Sequence, residues 1–200
     1  MVRSIIVAGD SRGFLIDAQE LRDYLMTTAS IVHPIIQTAY RTKEDVLDEI
    51  SGILSRATED DVCLLAFLGH GNETLWQMND GEEITFRELI PVLRKIRSRL
   101  LIINDSCGSH GLSEKLTRAR IRKRRVSVIA ACPSSGECYP GLTRNVIRDW
   151  KYRRKYKPEK AVLLDLSKPL RPTVEEMDLV YDPIRHGAAL DRYFFPARKT

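Results

Sequence analysis

Two short apolar segments constrain the fold of this chain more than any other feature. Residues 62–68 and 101–103 are continuous apolar runs, each bounded by glycine or polar residues. Runs of this kind are typical of strands buried on both faces of a parallel sheet. The first run leads into His70 and the second into Cys107. Ligands in open α/β sheets bind at the carboxyl ends of strands, so neighbouring strands would bring an imidazole and a thiol together there.

The rest of the chain alternates predicted strands and helices. Helical periodicity follows the residues Asp17, Thr42 and Thr85, each of a type that commonly caps a helix, and it recurs over 143–152. An Asn-Asp-Gly turn between Leu75 and Ile84 predicts a hairpin. The alternation predicts an α/β fold with a mostly parallel central sheet of about six strands flanked by helices. Apolar segments that complete this pattern lie at 4–8, 33–40, 126–131, 161–166 and 192–195.

Length and composition indicate a single folded domain over residues 1–200. The hydrophobic fraction is 43%, and no apolar run approaches the length of a membrane span. The N-terminal apolar stretch is too short for a signal peptide and predicts a first strand. The cysteines lack CxxC spacing, so we expect thiols in a reducing compartment, the cytoplasm, rather than disulfides or a zinc site. They are Cys63, Cys107, Cys132 and Cys138.

Basic residues are concentrated in two clusters, 115–125 and 151–157, within a net charge of +5. Such clusters permit contact with nucleic acid or an anionic surface. Binding to single-stranded nucleic acid would also need aromatic side chains for base stacking, and the second cluster offers Tyr152 and Tyr156. We interpret both clusters as solvated surface and expect neither nucleic acid nor a membrane as a partner. The histidines are scattered, so we expect no metal site.

Two motifs carry a resemblance to the caspase-like cysteine peptidases, which include caspases, metacaspases and paracaspases. The segment 67–71 is a strand that ends in His-Gly, and 103–108 is a strand that ends in Asp-x-Cys. The loop 11–18 is similar to the Ser-Arg and Asp-Ala loops of the group, and 130–136 with 140–143 is similar to the opening of the small subunit. The resemblance covers most of residues 1–150 and implies a caspase-like sandwich fold.

The resemblance also implies an organisation of the chain and a self-cleavage hypothesis. Residues 1–115 correspond to the large subunit, 115–125 to an inter-subunit segment and 126–200 to the small subunit. Caspases and some metacaspases are cut between the two subunits. A peptidase that prefers Arg or Lys would find sites of its own between Arg118 and Arg125. We therefore expect self-cleavage in this segment.

The resemblance assigns catalytic roles to three residues. Cys107 would be the nucleophile, since a thiolate attacks the carbonyl, and His70 the general acid–base. The backbone N–H groups of Gly71 and Cys107 would form the oxyanion hole. His70 and Cys107 are 37 positions apart, whereas about 50 is usual in caspases; we interpret the difference as shorter loops. His110 is a rival base, and a buried structural role for Cys107 is the alternative.

Three residues bear on which side chain is accepted before the scissile bond, at P1. Asp105 stands two residues before Cys107, as in metacaspases and paracaspases, and Asp17 matches a second acidic position of the metacaspase pocket. Two carboxylates favour an Arg or Lys side chain. Arg12 supports the opposite preference, because it matches the arginine that holds the P1 aspartate in caspases. We weight Asp105 more, because its position relative to Cys107 is fixed.

The prediction is therefore a cysteine endopeptidase that acts on protein or peptide substrates. Cleavage after Asp is one alternative, and a catalytically silent regulatory protein of the same fold is another. No cofactor is predicted. Calcium dependence, as in many metacaspases, and homodimerisation, as in caspases, are left open by the sequence.

Overall fold

The computed structural model describes residues 2–27, 31–121, 126–132, 141–156 and 181–182. Apolar runs form strands and amphipathic stretches form helices, as the sequence pattern predicts. The strands are β1 (Val2–Ala8), β2 (Ile31–Val32), β3 (Ile36–Gln37), β4 (Val62–Leu68), β5 (Leu75–Gln77), β6 (Glu83–Thr85), β7 (Arg99–Asp105), β8 (Val126–Ala130) and β9 (Tyr181–Asp182). The helices are α1 (Arg12–Met26), α2 (Lys43–Ser55), α3 (Phe86–Arg94), α4 (His110–Arg118) and α5 (Leu142–Tyr156).

One sheet organises the described part of the chain. Its strands run in the order β2-β1-β4-β7-β8-β9, and β3 also pairs with β1. Every pairing is parallel except that of β8 with β9. Strands β5 and β6 form the predicted hairpin outside this sheet. The α/β class with a mostly parallel sheet is confirmed.

Helices cover both faces of the sheet. Helices α1 and α5 pack on one face with Ile6, Leu64 and Ile103, and α2, α3 and α4 pack on the other. Strands β4 and β7 lie in the middle, and all seven residues of β4 are buried. Their alternate side chains enter the two cores, which explains why the sequence is continuously apolar there. None of the helices in the described ranges is long and apolar enough to cross a membrane.

Several local predictions are confirmed and others are wrong. Thr42 and Thr85 cap α2 and α3 through capping boxes, as their sequence context predicts. Asp17 is not a helix cap, because α1 begins earlier and its cap is Ser11. The predicted strand 33–40 contains only the dipeptide strand β3 and a 3₁₀ turn over 38–40, and a second dipeptide strand, β2, precedes it. Pro34 lies between β2 and β3. Because proline has no backbone N–H, it cannot donate a hydrogen bond to a neighbouring strand.

The C-terminal half of α4 occupies part of the basic segment 115–125, which the sequence pattern predicts to be a link. Residues 122–125 lie outside the described ranges, as do the predicted apolar segments 161–166 and 192–195.

Candidate active site

The register of the two central strands places His70 and Cys107 at one edge of the sheet. Leu68 and Asp105, the last residues of β4 and β7, lie opposite each other. The N–H of Gly69 donates to the carbonyl of Asp105 at 3.2 Å, so the pairing continues past the strands. His70 and Cys107 each follow this paired position by two residues. The strands are therefore neighbours, and both side chains emerge at their carboxyl ends, where α/β folds bind ligands.

The two side chains differ in exposure. His70 is exposed, and Cys107 is half-buried in the turn between β7 and α4. The ring of Phe14, from the first turn of α1, meets the imidazole edge-to-face, with centroids 5.1 Å apart and an interplanar angle of 85°. This contact orients the imidazole while solvent or a ligand can still approach it.

Glycines let the loop after His70 pack directly on the turn around Cys107. A Cβ on Gly108 would lie 2.4 Å from the backbone nitrogen of Glu73, and Gly108 has a positive φ of 58°. A Cβ on Gly111 would lie 2.2 Å from the carbonyl oxygen of Glu73. Neither position accepts a larger residue, because the obstructing atoms are backbone. The two halves of the candidate site are thus in close backbone contact.

The hairpin fixes the direction of the backbone N–H of Gly71. The His70 carbonyl accepts from the N–H of Gln77 at 2.9 Å, and the N–H of Asn72 donates to Leu75 at 3.1 Å. Residues 70 and 72 therefore direct these groups toward the hairpin. Because successive residues of an extended chain direct their backbone groups to opposite sides, the N–H of Gly71 faces away from the hairpin.

Asn104 is a buried polar residue at the end of β7, with an exposed fraction of 0%. Its Oδ1 accepts from Trp76 Nε1 at 2.9 Å and from the Ser106 hydroxyl at 3.1 Å. Its Nδ2 donates to the carbonyl of Ser109 at 2.9 Å. These bonds compensate for the cost of burying an amide.

Ser109 and Cys132 form a second support beneath the cysteine turn. The N–H of Cys132, just beyond β8, donates to the Ser109 hydroxyl at 3.0 Å. The carbonyl of Cys132 accepts from the N–H of His110 at 3.1 Å. The cysteine turn is thereby attached to the neighbouring strand by both backbone and side-chain hydrogen bonds. Cys63, Cys107 and Cys132 carry thiols rather than disulfides, and Cys138 lies outside the described residues.

The structure brings Asp17 and Asp105 together beside the cysteine turn. Asp105 accepts from the backbone N–H of Thr143 at 2.9 Å, and Asp17 accepts from Nε of Arg144. Both aspartates are almost fully buried, with exposed fractions of 2% and 3%. Burial raises the pKa of Asp105, the Thr143 N–H opposes that shift, and the negative charge of Asp17 adds to it. The charged form of Asp105 is thus less stable in the folded protein than in water.

Exposed arginines lie on α1, which carries Asp17, and on α5, which contacts both aspartates. Arg144 has a side-chain exposed fraction of 56% although its Nε is bound to Asp17. Arg12 is exposed and lies in the first turn of α1, not in the loop assumed from the sequence. The Arg144 guanidinium is therefore exposed to solvent beside Asp17, and both carboxylates already have internal partners.

His110, the rival base, and two tryptophans have structural positions. His110 lies in α4, with Nδ1 3.7 Å from a carboxylate oxygen of Glu114. Trp76 has an exposed fraction of 0%, and its ring stacks on that of Phe67 with centroids 4.4 Å apart. It therefore does not line a surface pocket. Trp150 is buried and stacks on Tyr24. Within the described ranges, no three His, Cys, Asp or Glu side chains form a cluster that could hold a metal ion.

Sequence reasoning missed Asn104 and Arg144. An asparagine at the end of an otherwise apolar strand is a detectable signal, because a buried amide needs partners. Arg144 offered no such signal, because it lies on a helix among many basic residues and its partner is 127 positions away.

The comparisons with known proteins concern the fold. No protein-family model matches the chain, and no curated protein matches its sequence. The structure is similar to caspase-1 from Spodoptera frugiperda, with a TM-score of 0.59, 14% identity, and coverage of 76% of this chain and 68% of that chain. It is also similar to a protein from Geobacter sulfurreducens, with a TM-score of 0.55, 16% identity, and coverage of 76% of this chain and 81% of that chain. At such identities the likeness shows a caspase-like fold.

Proposed function

We propose that this chain is a cysteine endopeptidase in which Cys107 is the nucleophile and His70 the general acid–base. One observation carries the proposal: the register of β4 and β7 brings both residues to the same sheet edge, with their loops in backbone contact. The fold likeness to a caspase supports the same assignment. The alternative of a buried structural thiol is disfavoured, because Cys107 is half-buried in a turn and follows a strand that neighbours the one leading to the exposed His70.

The proposed chemistry uses three elements of the site. The Cys107 thiolate attacks the scissile carbonyl and forms a tetrahedral intermediate. The N–H groups of Gly71 and Cys107 stabilise its oxyanion. When the intermediate collapses, the C–N bond breaks and His70 donates a proton to the leaving amine. Water then hydrolyses the acyl-enzyme and restores the thiol.

The direct test is hydrolysis of fluorogenic peptides by the purified protein, with and without calcium. Activity that is lost in Cys107→Ala and reduced at least about 100-fold in His70→Ala is expected for a dyad. Cys132→Ala is a matched control, because Cys132 is another thiol near the turn. A folded wild-type protein that cleaves no peptide, as monomer or dimer, would instead favour a catalytically silent regulatory role.

We further propose that Asp105 and Asp17 select Arg or Lys at P1. The raised pKa of Asp105 supports this, because a buried carboxylate whose charged form is destabilised gains most from an incoming cation. A basic P1 side chain would compete with Arg144 for Asp17. Cleavage after Asp is the alternative, and it is favoured by the exposure of Arg12 and of the Arg144 guanidinium.

Arg144→Ala distinguishes these two specificities. If the pocket takes Arg or Lys, removing the internal competitor lowers KM for peptides ending in Arg. If the pocket takes Asp, the same substitution raises KM for peptides ending in Asp. Arg148→Ala is the matched control, because Arg148 is exposed one helical turn along α5 and bonds with Asn145 instead.

We retain self-cleavage in the basic segment as a third part of the proposal. Peptidases bind extended chain, whereas Lys115 and Arg118 lie in α4. Cleavage is therefore expected after Arg120 or later, where the helix has ended, and Arg120 has a strained positive φ of 52°. Mass spectrometry of the purified wild type and Cys107→Ala tests this. Identical fragments from both proteins would contradict it.

A further inference from the structure

The Asn104 side chain lies between the two backbone segments that carry the proposed dyad. On the histidine side it contacts Trp76, whose indole N–H bonds to Oδ1 at 2.9 Å. Trp76 pairs with Gly71 in an antiparallel bridge. The next residue of β5, Gln77, bonds to the His70 carbonyl at 2.9 Å. The position of the indole is therefore coupled to the position of His70 and Gly71.

On the cysteine side the same amide bonds to residues that flank Cys107. Oδ1 accepts from the Ser106 hydroxyl at 3.1 Å, and Nδ2 donates to the Ser109 carbonyl at 2.9 Å. Ser106 immediately precedes the nucleophile, and Ser109 follows it by two residues. The amide thus holds both ends of the turn.

The environment makes this arrangement rigid. Asn104, Trp76, Ser106 and Ser109 are all buried, and the indole is stacked on Phe67 with an interplanar angle of 5°. In such surroundings a lost hydrogen bond is not replaced by water, so each partner has one favourable position. An aliphatic side chain at position 104 would fill the space, but it would offer no hydrogen bond to the Trp76 indole, the Ser106 hydroxyl or the Ser109 carbonyl.

We propose that Asn104 is a positioning residue, which sets the placement of His70 and Gly71 relative to Cys107 through Trp76 and the flanking serines. The inference rests on the proposed peptidase function. Asn104 does not contact substrate; it acts through the groups that do. Its contribution is the alignment of base, oxyanion donor and nucleophile, for which small displacements have large effects on rate.

Asn104→Leu tests this assignment by steady-state kinetics. The expected result is a fall in kcat of about 100-fold with KM nearly unchanged, because alignment is lost while substrate contacts remain. Ile102→Val, on the same strand and the same face of the sheet, is the control for a loss of core packing. If Asn104→Leu is folded and keeps the wild-type kcat, the proposal is wrong.

A second readout does not depend on peptide cleavage. The rate of Cys107 alkylation by iodoacetamide is followed across pH by mass spectrometry, with and without His70→Ala. In the wild-type background His70→Ala changes the pH profile, whereas in the Asn104→Leu background it has little effect. An equal change in both backgrounds would overturn the proposal, because a merely structural Asn104 leaves the coupling between His70 and Cys107 intact.

The two readouts separate failure of this inference from failure of the proposed function. If the wild type has no peptidase activity, but its alkylation depends on His70 and this dependence is lost in Asn104→Leu, the proposed function fails and the Asn104 assignment is supported. No coupling in the wild type overturns the assignment. If Asn104→Leu does not fold, Trp76→Phe and Ser106→Ala each remove one bond to Oδ1. Each is expected to lower kcat several-fold, and a wild-type kcat in both overturns the proposal.

Discussion

The loop that carries His70 and the turn that carries Cys107 occupy equivalent positions on neighbouring strands but are held in different ways. The histidine loop is exposed, and its hydrogen bonds to the hairpin are made by backbone groups. The cysteine turn is largely buried and is held by the side chains of Asn104, Ser106 and Ser109. The difference matches the roles we propose. A nucleophile needs a fixed geometry, whereas a base that exchanges protons needs contact with solvent.

Disrupting the backbone contact between the two regions is expected to have the largest effect on stability and activity. Gly108→Ala inserts a methyl group against the backbone of Glu73 and forces a left-handed φ on alanine. We expect a loss of about 2–4 kcal/mol in the free energy of unfolding and loss of activity. Gly52→Ala, within α2, is the control, because its added methyl group would meet nothing within 4 Å; it should stabilise by about 0.5–1 kcal/mol. Denaturant unfolding measures both, and equal stabilities would contradict the packing argument.

The cysteine turn is held by buried side chains and the histidine loop by backbone groups. We therefore expect the cysteine turn to lose more stability when one hydrogen-bonding side chain is removed. Ser109→Ala removes the hydroxyl that accepts from the buried N–H of Cys132 and should cost about 1–3 kcal/mol. Asn72→Ala removes two bonds to Thr74, but both are exposed, and water replaces them at a cost of about 0.5 kcal/mol or less. Chemical denaturation of the two variants compares the regions directly. Equal losses would show that the cysteine turn is not the more strongly held region.

The raised pKa of Asp105, at the base of the cysteine turn, predicts that the stability of the fold depends on pH. Its pKa is raised by burial, so the folded state binds the proton more tightly than the unfolded chain does. The free energy of unfolding therefore falls as pH rises from the unfolded value near 3.8 through the folded pKa. Asp105→Asn keeps an acceptor for the Thr143 N–H and should raise the Tm at pH 7, with a smaller gain near pH 4. The exposed Asp60→Asn serves as the control, and thermal melts across pH decide the outcome.

Among the effects on activity, the smallest is expected at the ring of Phe14, which contacts His70. Phe14→Leu keeps an apolar side chain but removes the edge-to-face contact with His70, which is worth about 0.5–1.5 kcal/mol. Because the histidine loop keeps its backbone bonds to the hairpin, we expect only a modest fall in kcat. A loss of activity as large as that expected for Gly108→Ala would mean that the ring of Phe14, rather than the backbone, holds the histidine loop.

The strands and their ends were predictable because they depend on local pattern. The run 62–68 is continuously apolar because both faces of β4 are covered, and its match to the observed strand is residue for residue. Thr42 and Thr85 were correctly identified as caps because capping involves residues only three positions apart. The extent of α1 was missed because Ser11 and Asp17 are both acceptable caps, and packing selects between them.

The sequence by itself determined the fold class and the two strand ends at which a thiol and an imidazole emerge. Only the tertiary structure decided what surrounds them. It paired Arg144 with Asp17 and placed Asn104 between Trp76 and the cysteine turn, contacts that span 127 and 28 positions. Local sequence patterns reflect hydrogen bonds and side-chain periodicity within one element. Partners of a buried polar group come from whichever elements the sheet order brings together, and that order emerges only when the whole chain packs.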